Sequence, residues 1–341
     1  MKISIGYIPR TGAWGGGNAF LLGLSHNLVK SGHTVINHLD DSDIDIILIV
    51  EPRRLQTTSF SPSQAWRYVR FVNRKAIIVH RINECDERKN TNTINNRLKR
   101  CNEVADYTVF VGSWLRELDL WCSSKNFGNE TILNGSDPSV FNDSGFLPWN
   151  GKEKMKLITH HWGGNWLKGF DVYNAIDKLL DNEFWQNKIS FSYMGNLPKG
   201  FEFKNATHIK PKSGKDIAVE LKKHHAYITG SVCEPGGNHQ NEAVQCGLPI
   251  LYLNSGCMPE YLHGVGLEYA SATEIEKTIL ELLSNYPKWQ LKTKSYKNTL
   301  NKSSSQYERL FIRLLESRDL IKRYRNKKFS FYKDWWLRFK L

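Results

Sequence analysis

Short apolar runs alternate along this chain with stretches of about 10–15 residues whose apolar positions recur at helical spacing. The runs predict strands over Lys2–Ile8, Thr34–Asn37, Ile44–Val50, Lys75–Ile82, Tyr107–Val111 and Thr131–Leu133. A second set follows over Met155–Thr159, Ile189–Met194, His208–Lys210, Ala226–Thr229 and Pro249–Leu253. Strand and helix alternating in this way predict a parallel sheet covered by helices. Ile46-Ile47-Leu48-Ile49-Val50 has no polar face, as a strand buried on both sides requires. Between the two sets, Asp143–Lys152 gathers Gly, Pro, Asn and Ser, and a fresh strand–loop–helix cycle starts after it. The pattern therefore predicts an α/β protein of two doubly wound domains, 1–150 and 151–300, facing one another across a cleft. Tyr307, Leu310, Phe311, Leu314 and Leu315 share one helical face, so Ser303–Leu315 reads as a helix within a C-terminal segment, 301–341.

Composition agrees with this picture. The 341 residues are 40% hydrophobic and 24% charged, ordinary for a globular chain of about two domains. No apolar run approaches the ~20 residues of a membrane-spanning helix. The opening Met1-Lys2-Ile3-Ser4-Ile5-Gly6 reads as a strand and a glycine loop rather than a signal core, which predicts a cytoplasmic protein. Six cysteines lie scattered with no C-x-x-C pair and no histidine at ligand spacing, so the expectation is free thiols and no metal site.

The net charge of +13 changes the picture by asking for an anionic partner. Nucleic acid is the weakest choice, since no helix-turn-helix, RNA-binding or zinc-finger signature accompanies the charge. The tail Ile321–Leu341 mixes cations with Trp335, Trp336 and Phe339, a mixture that suits peripheral binding at an anionic membrane surface. The other reading of that tail is a helix whose aromatics pack back onto the domains.

Four loops carry candidate chemistry. Thr11-Gly12-Ala13-Trp14-Gly15-Gly16-Gly17-Asn18 follows the first strand, and its glycines let backbone amides approach a phosphate at a helix start. It lacks the G-x-G-x-x-G spacing of a dinucleotide site. His80, Arg81, Glu84 and Asp86 arrive together at the carboxyl end of a buried strand, where open parallel sheets bind ligands. Trp162-Gly163-Gly164-Asn165-Trp166-Leu167-Lys168-Gly169 offers Lys168 as a compact cation for phosphate. Glu234-Pro235-Gly236-Gly237-Asn238-His239-Gln240-Asn241-Glu242 is the most specific. Its Pro-Gly-Gly forbids one continuous helix, so Glu234 belongs to a loop and Glu242 to the first turn of a short helix, Asn241–Cys246. A carboxylate beside that helix start can accept both hydroxyls of a ribose, with the glycine amides turned to a diphosphate.

Glu234-x7-Glu242 with Ala243-Val244-Gln245-Cys246-Gly247-Leu248-Pro249-Ile250 resembles the donor-site signature of family 4 glycosyltransferases, retaining enzymes of the GT-B fold. Phe110-Val111-Gly112-Ser113 and Asn134-Gly135-Ser136-Asp137-Pro138-Ser139-Val140-Phe141 are similar to segments closing that family's N-terminal domain, and Lys168-Gly169 to its phosphate loop. The resemblance implies two Rossmann-like domains and transfer of a sugar from a nucleotide-sugar to an acceptor hydroxyl, without a metal or other cofactor; the basic aromatic tail points to a glycan or lipid-linked acceptor, as in bacterial surface-polysaccharide synthesis. It implies that Glu234 holds donor-sugar hydroxyls and Glu242 the ribose. Gly236, Gly237 and Asn238 then line the sugar and diphosphate, Lys168 neutralises the leaving diphosphate, Gly16 and Gly17 close over it, and His80 stands near the sugar. The family's arginine six residues before the lysine is Trp162 here, and Arg81 is the candidate substitute cation. Two rivals share these residues: a non-catalytic nucleotide-sugar-binding subunit and a GT-B sugar-nucleotide epimerase.

Overall fold

A computed structural model of the protein describes residues 1–10, 15–121 and 126–328. The chain forms two compact units, one of Met1–Arg10, Leu21–Leu133 and the segment from Ser303, the other of residues 15–20 and Asn134–Lys302. Each is built on six parallel strands. In the first, β1 (Lys2–Ile5), β2 (Thr34–Ile36), β3 (Ile46–Ile49), β4 (Ile77–Ile82), β5 (Tyr107–Phe110) and β6 (Gly128–Thr131) stand in the order β2-β1-β3-β4-β5-β6. In the second, β7 (Met155–His161), β8 (Ile189–Gly195), β9 (Thr207–Ile209), β10 (Ala226–Thr229), β11 (Ile250–Leu253) and β12 (Leu267–Tyr269) stand in the order β12-β11-β10-β7-β8-β9. The order in which strands are added reverses between β1 and β3 in one sheet and between β7 and β10 in the other, with all strands parallel. Such switch points open crevices at the carboxyl ends of the strands.

The helices that cover the first sheet begin with α1 (Gly16–Lys30), α2 (Pro62–Phe71) and α3 (Ile94–Val104). Ser61 and Gln64 cap α2 reciprocally, and Pro62 starts it with a φ already helical. Every residue of β3 is buried, and Ile47, Ile49 and Ile78 pack with Trp66, Val69 and Val104 from α2 and α3. The second unit carries α4 (Phe170–Leu179), α5 (Glu183–Lys188), α6 (Lys215–Leu221), α7 (His239–Gln245), α8 (Met258–Leu262) and α9 (Ile275–Thr293). Its main core is aromatic, with Phe170, Tyr173, Trp185, Phe191 and Tyr286 packed against Met155 and Leu157 of β7. The chain closes with α10 (Leu300–Glu316) and α11 (Arg318–Lys328).

The described residues divide differently from the expected 1–150, 151–300 and 301–341. The unit boundary lies at Leu133/Asn134 rather than at residue 150. The Gly- and Pro-rich stretch looks like a linker, yet Phe146 is buried and Trp149 meets Tyr286 edge-on at 5.6 Å, so it already belongs to the second core. From Ser303 on, the C-terminal helices are part of the first unit. Glu308 meets His33 at 2.9 Å, Arg313 meets Glu130 at 3.0 Å, and Arg325 reaches the buried Asp106 while donating to the carbonyl of Ala76. Strand β6 precedes its predicted position because Gly128-Asn129-Glu130-Thr131 is a polar edge strand, and β12 is a three-residue edge strand with no predicted counterpart. Of the tail expected at a membrane, Ile321 and Arg325 are buried and Tyr324 stacks edge-on with Phe127 at 6.2 Å; residues 329–341 lie outside the described residues. No helix among the described residues is long and apolar enough to cross a membrane. The described cysteines are free, and burial pushes the Cys246 thiol up to about 12.

Candidate active site

The switch point of the second sheet brings two of the predicted loops together. The segment after β7 runs from Trp162 to Gly169, and Asn165 caps its short 3-10 turn by accepting from the Leu167 amide at 2.8 Å. The segment after β10 runs from Gly230 to Asn238. The two are knitted by backbone: Val232 N–H donates to the Leu167 carbonyl at 2.9 Å. Gly169 adopts φ +111, and a Cβ there would stand 2.6 Å from the Gly230 carbonyl carbon, so no other residue fits without displacing the second loop. The Tyr173 hydroxyl, from α4, ties the same loops by donating to the Lys168 carbonyl at 2.9 Å and accepting from the Gly230 amide at 3.3 Å.

This knit sets Lys168 Nζ 3.4 Å from Glu234 Oε2. Glu234 is nearly buried, and its backbone is held by Cys257 N–H donating to its carbonyl at 2.9 Å. The residue before it, Cys233, has φ +48, a left-handed conformation uncommon for a non-glycine residue, and its amide is satisfied by Ser255 Oγ at 2.8 Å. Gly236 and Gly237 follow with their carbonyls occupied, the first by Asn134 Nδ2 at 2.6 Å and the second by Gln240 Nε2 at 2.7 Å. The Asn134-Gly135-Ser136 motif thus supports this loop. Gly135 passes so close to Thr299 that a Cβ would stand 2.1 Å from its carbonyl carbon.

Helix α7 carries Glu242 and contradicts the usual rule that polar helices face water. His239, Gln240, Asn241 and Glu242 are all buried, and each has a partner. His239 Nε2 meets Thr229 Oγ1 at 3.0 Å, and Asn241 Nδ2 donates to the Asn134 carbonyl at 3.2 Å. Glu242 Oε2 accepts from His160 Nε2 at 2.7 Å, at the end of β7. The helix starts at His239, two residues earlier than predicted, which leaves Glu242 in its first turn. Asn238 precedes it and donates through Nδ2 to the Gly16 carbonyl at 2.9 Å, within the second unit. Gly16 and Gly17 form the first turn of α1 rather than a loop; Thr11–Trp14, the rest of that glycine motif, lie outside the described residues. Four buried polar atoms around these loops have no hydrogen-bond partner among the described residues: Asn238 Oδ1, Gln240 Oε1, His160 Nδ1 and Ser231 Oγ.

Two predicted site residues stand elsewhere. His80 and Arg81 belong to the first unit, on β4, and both are essentially without exposure. His80 Nδ1 donates to Asn102 Oδ1 of α3 at 2.8 Å, and burial lowers the imidazole to about 4, so it is a neutral ring under a helix. The charge of Arg81 acts on the buried Tyr307 hydroxyl of α10, which belongs to the same unit. At 1% exposure it is a core cation of the first unit, which corrects the expectation that it replaces an arginine at a diphosphate.

No family model matches the chain, and no curated protein matches it by sequence. Solved structures match it by fold. Sucrose-phosphate synthase from Thermosynechococcus elongatus superposes with a TM-score of 0.64 at 15% identity, over 96% of this chain and 96% of that one. A glycosyltransferase from Rickettsia africae gives 0.65 at 13% identity, over 92% of this chain and 98% of its own. HepE from Anabaena, in complex with UDP and glucose, gives 0.62 at 12% identity, over 91% and 98%. The fold is GT-B. Sequence reasoning missed part of this GT-B protein's switch point: His160, His161, His239 and Tyr173. His161 Nε2 lies 2.7 Å from the Tyr173 hydroxyl, and its ring centre lies 4.6 Å from that of His239. The signal was present as two histidines directly after Met155–Thr159, which ended the apolar run two residues before the strand itself ends.

Proposed function

We propose that the protein is a glycosyltransferase that uses a nucleotide-sugar donor, retains the anomeric configuration, needs no metal and passes the sugar to a glycan or lipid-linked acceptor in bacterial surface-polysaccharide synthesis. The observation that carries the reading is the convergence at one switch point of Lys168, Glu234 and Glu242, flanked by polar atoms that still lack partners. In this reading Glu242, steadied by His160, accepts the ribose hydroxyls. Glu234 accepts hydroxyls of the donor sugar, and Lys168 swings from Glu234 onto the diphosphate as its charge develops. Gly236, Gly237 and Asn238 line the sugar and diphosphate, and Gly16 and Gly17 lie beside them on the donor side. A leaving diphosphate is stabilised most by preorganised donors, and a lysine on a knitted loop is one. The departing phosphate then takes the acceptor's proton on the same face, so no separate carboxylate nucleophile is required. His80, buried and neutral on β4, takes no part in that proton transfer.

HepE has been solved with UDP-glucose, which makes UDP-sugars the first donors to test. Calorimetric titration with a panel of nucleotide-sugars and nucleoside diphosphates should find saturable binding to one base. Glu242→Ala should weaken it at least about tenfold, the scale of losing a charge-assisted bond pair. Binding unchanged in the variant would refute the assignment. A second reading, a nucleotide-sugar-binding subunit without transfer, is favoured by Trp162, whose ring is half exposed where the family carries arginine. Binding without turnover of any acceptor would select it.

A further inference from the structure

The first unit holds a cavity of about 640 Å³ at the carboxyl ends of β3 and β4, apart from every residue of the donor reading. Its size is that of a small-molecule site. Its walls carry Arg53, Arg54, Lys89 and Arg97, and Thr93 and Ile94 add a hydroxyl and an apolar surface. The acidic groups facing these cations are Glu51 and Glu84: Arg53 is paired with both, and Lys89 with Glu84. Two carboxylates against four cations leave a surplus of positive charge. The guanidinium groups of Arg54 and Arg97 have no ion-pair partner among the described residues, and both side chains are exposed. The buried Asp86 does not draw on them. Its carboxylate accepts from the amides of Thr93, Ile94 and Asn95 at 3.0, 2.9 and 2.9 Å, so it is spent on the start of α3.

We propose that this cavity binds the acidic group, phosphate or carboxylate, of a saccharide acceptor, with Arg54 and Arg97 as the two forks that grip it. Both groups present the pair of oxygens that a guanidinium meets with two parallel bonds. A concave site with an apolar wall and a free hydroxyl suits a sugar ring bearing that group, whereas a membrane or a nucleic acid needs an extended basic face. The inference rests on the transferase reading only for the word acceptor; the anion preference of the cavity stands without it.

The test is calorimetry on the full chain with four probes, glucose 6-phosphate, trigalacturonic acid, glucose and maltotriose, with UDP as a separate donor-side control. The acidic probes should bind at least about tenfold more tightly than the neutral ones, and Arg54→Ala with Arg97→Ala should remove that margin while leaving UDP binding unchanged. Which acidic probe is preferred separates phosphate from carboxylate. Both positions are exposed and unpaired, so the double variant should fold, which circular dichroism checks. Equal binding of acidic and neutral probes, or acidic binding indifferent to the double variant, overturns the proposal. So does the absence of any acidic binding while vesicles of phosphatidylglycerol bind through the same two arginines. If UDP fails to bind but the acidic probes bind through Arg54 and Arg97, the donor reading falls and the cavity assignment stands.

Discussion

The two units share an architecture and differ in how they treat the carboxyl edge of their sheets. In the second unit that edge is knitted together: Gly169 lies against Gly230, Tyr173 bridges the loops, and a polar helix is buried on hydrogen bonds that leave Gln240 Oε1 without a partner among the described residues. In the first unit the loops after β3 and β4 surround an open basic cavity, and the polar residues of β4, His80 and Arg81, are turned into the core. Strand order differs as well. The second sheet has the dinucleotide-type sequence of strands, while in the first a single strand, β2, lies beyond β1. The difference teaches that a preorganised edge suits a ligand whose charge develops during reaction, and an open one suits a ligand that varies.

The comparison is broken most directly at the knit. Gly169→Val forces a side chain into the Gly230 backbone at a left-handed φ and should cost about 3–5 kcal/mol, measured by denaturant unfolding. A loss under about 1 kcal/mol would mean the loops are not locked.

The next effect is on the first unit and depends on pH. His80 titrates near 4 in the folded protein and near 6.5 when unfolded, so the unfolded chain binds more protons between those values. Its contribution is therefore complete above pH 6.5 and is lost as pH falls toward 4. His80→Gln, which keeps a donor for Asn102, should lose about 2 kcal/mol less stability than the natural protein between pH 7 and 5. His224 and His225 of the second unit are also lowered by burial and keep their own slope in both proteins. Identical pH profiles would contradict a neutral His80.

The smallest expected effect sharpens the site itself. His160→Phe removes the donor to Glu242 and should weaken nucleotide binding about tenfold, while His160→Gln should restore part of it. A structural role alone would lower thermal stability in both variants and leave nucleotide affinity untouched.

Much of this was legible along the chain. The alternation of apolar runs and amphipathic stretches marked ten of the described strands and met β6 only at its last residue, because backbone pairing and burial on two faces leave a local signature that a polar edge strand lacks. The glycine loops announced Lys168, Glu234 and Glu242, since only certain residues permit such turns. Four features were not legible. Phe146 and Trp149 looked like linker residues because their core partners lie far along the chain. Arg81 looked like a ligand cation because its burial against α10 joins positions more than two hundred residues apart. His160 and His161 interrupted an apolar run, and the basic cavity has no motif at all.

The α/β rhythm, the two sheets and the loops able to meet a phosphate are written locally in the chain, all consequences of short-range stereochemistry. Which loops converge, which histidine steadies Glu242, where one unit ends and which cations lack an ion-pair partner among the described residues follow from the fold. Those depend on strand order and on contacts between distant segments, and neither periodicity nor spacing encodes them locally.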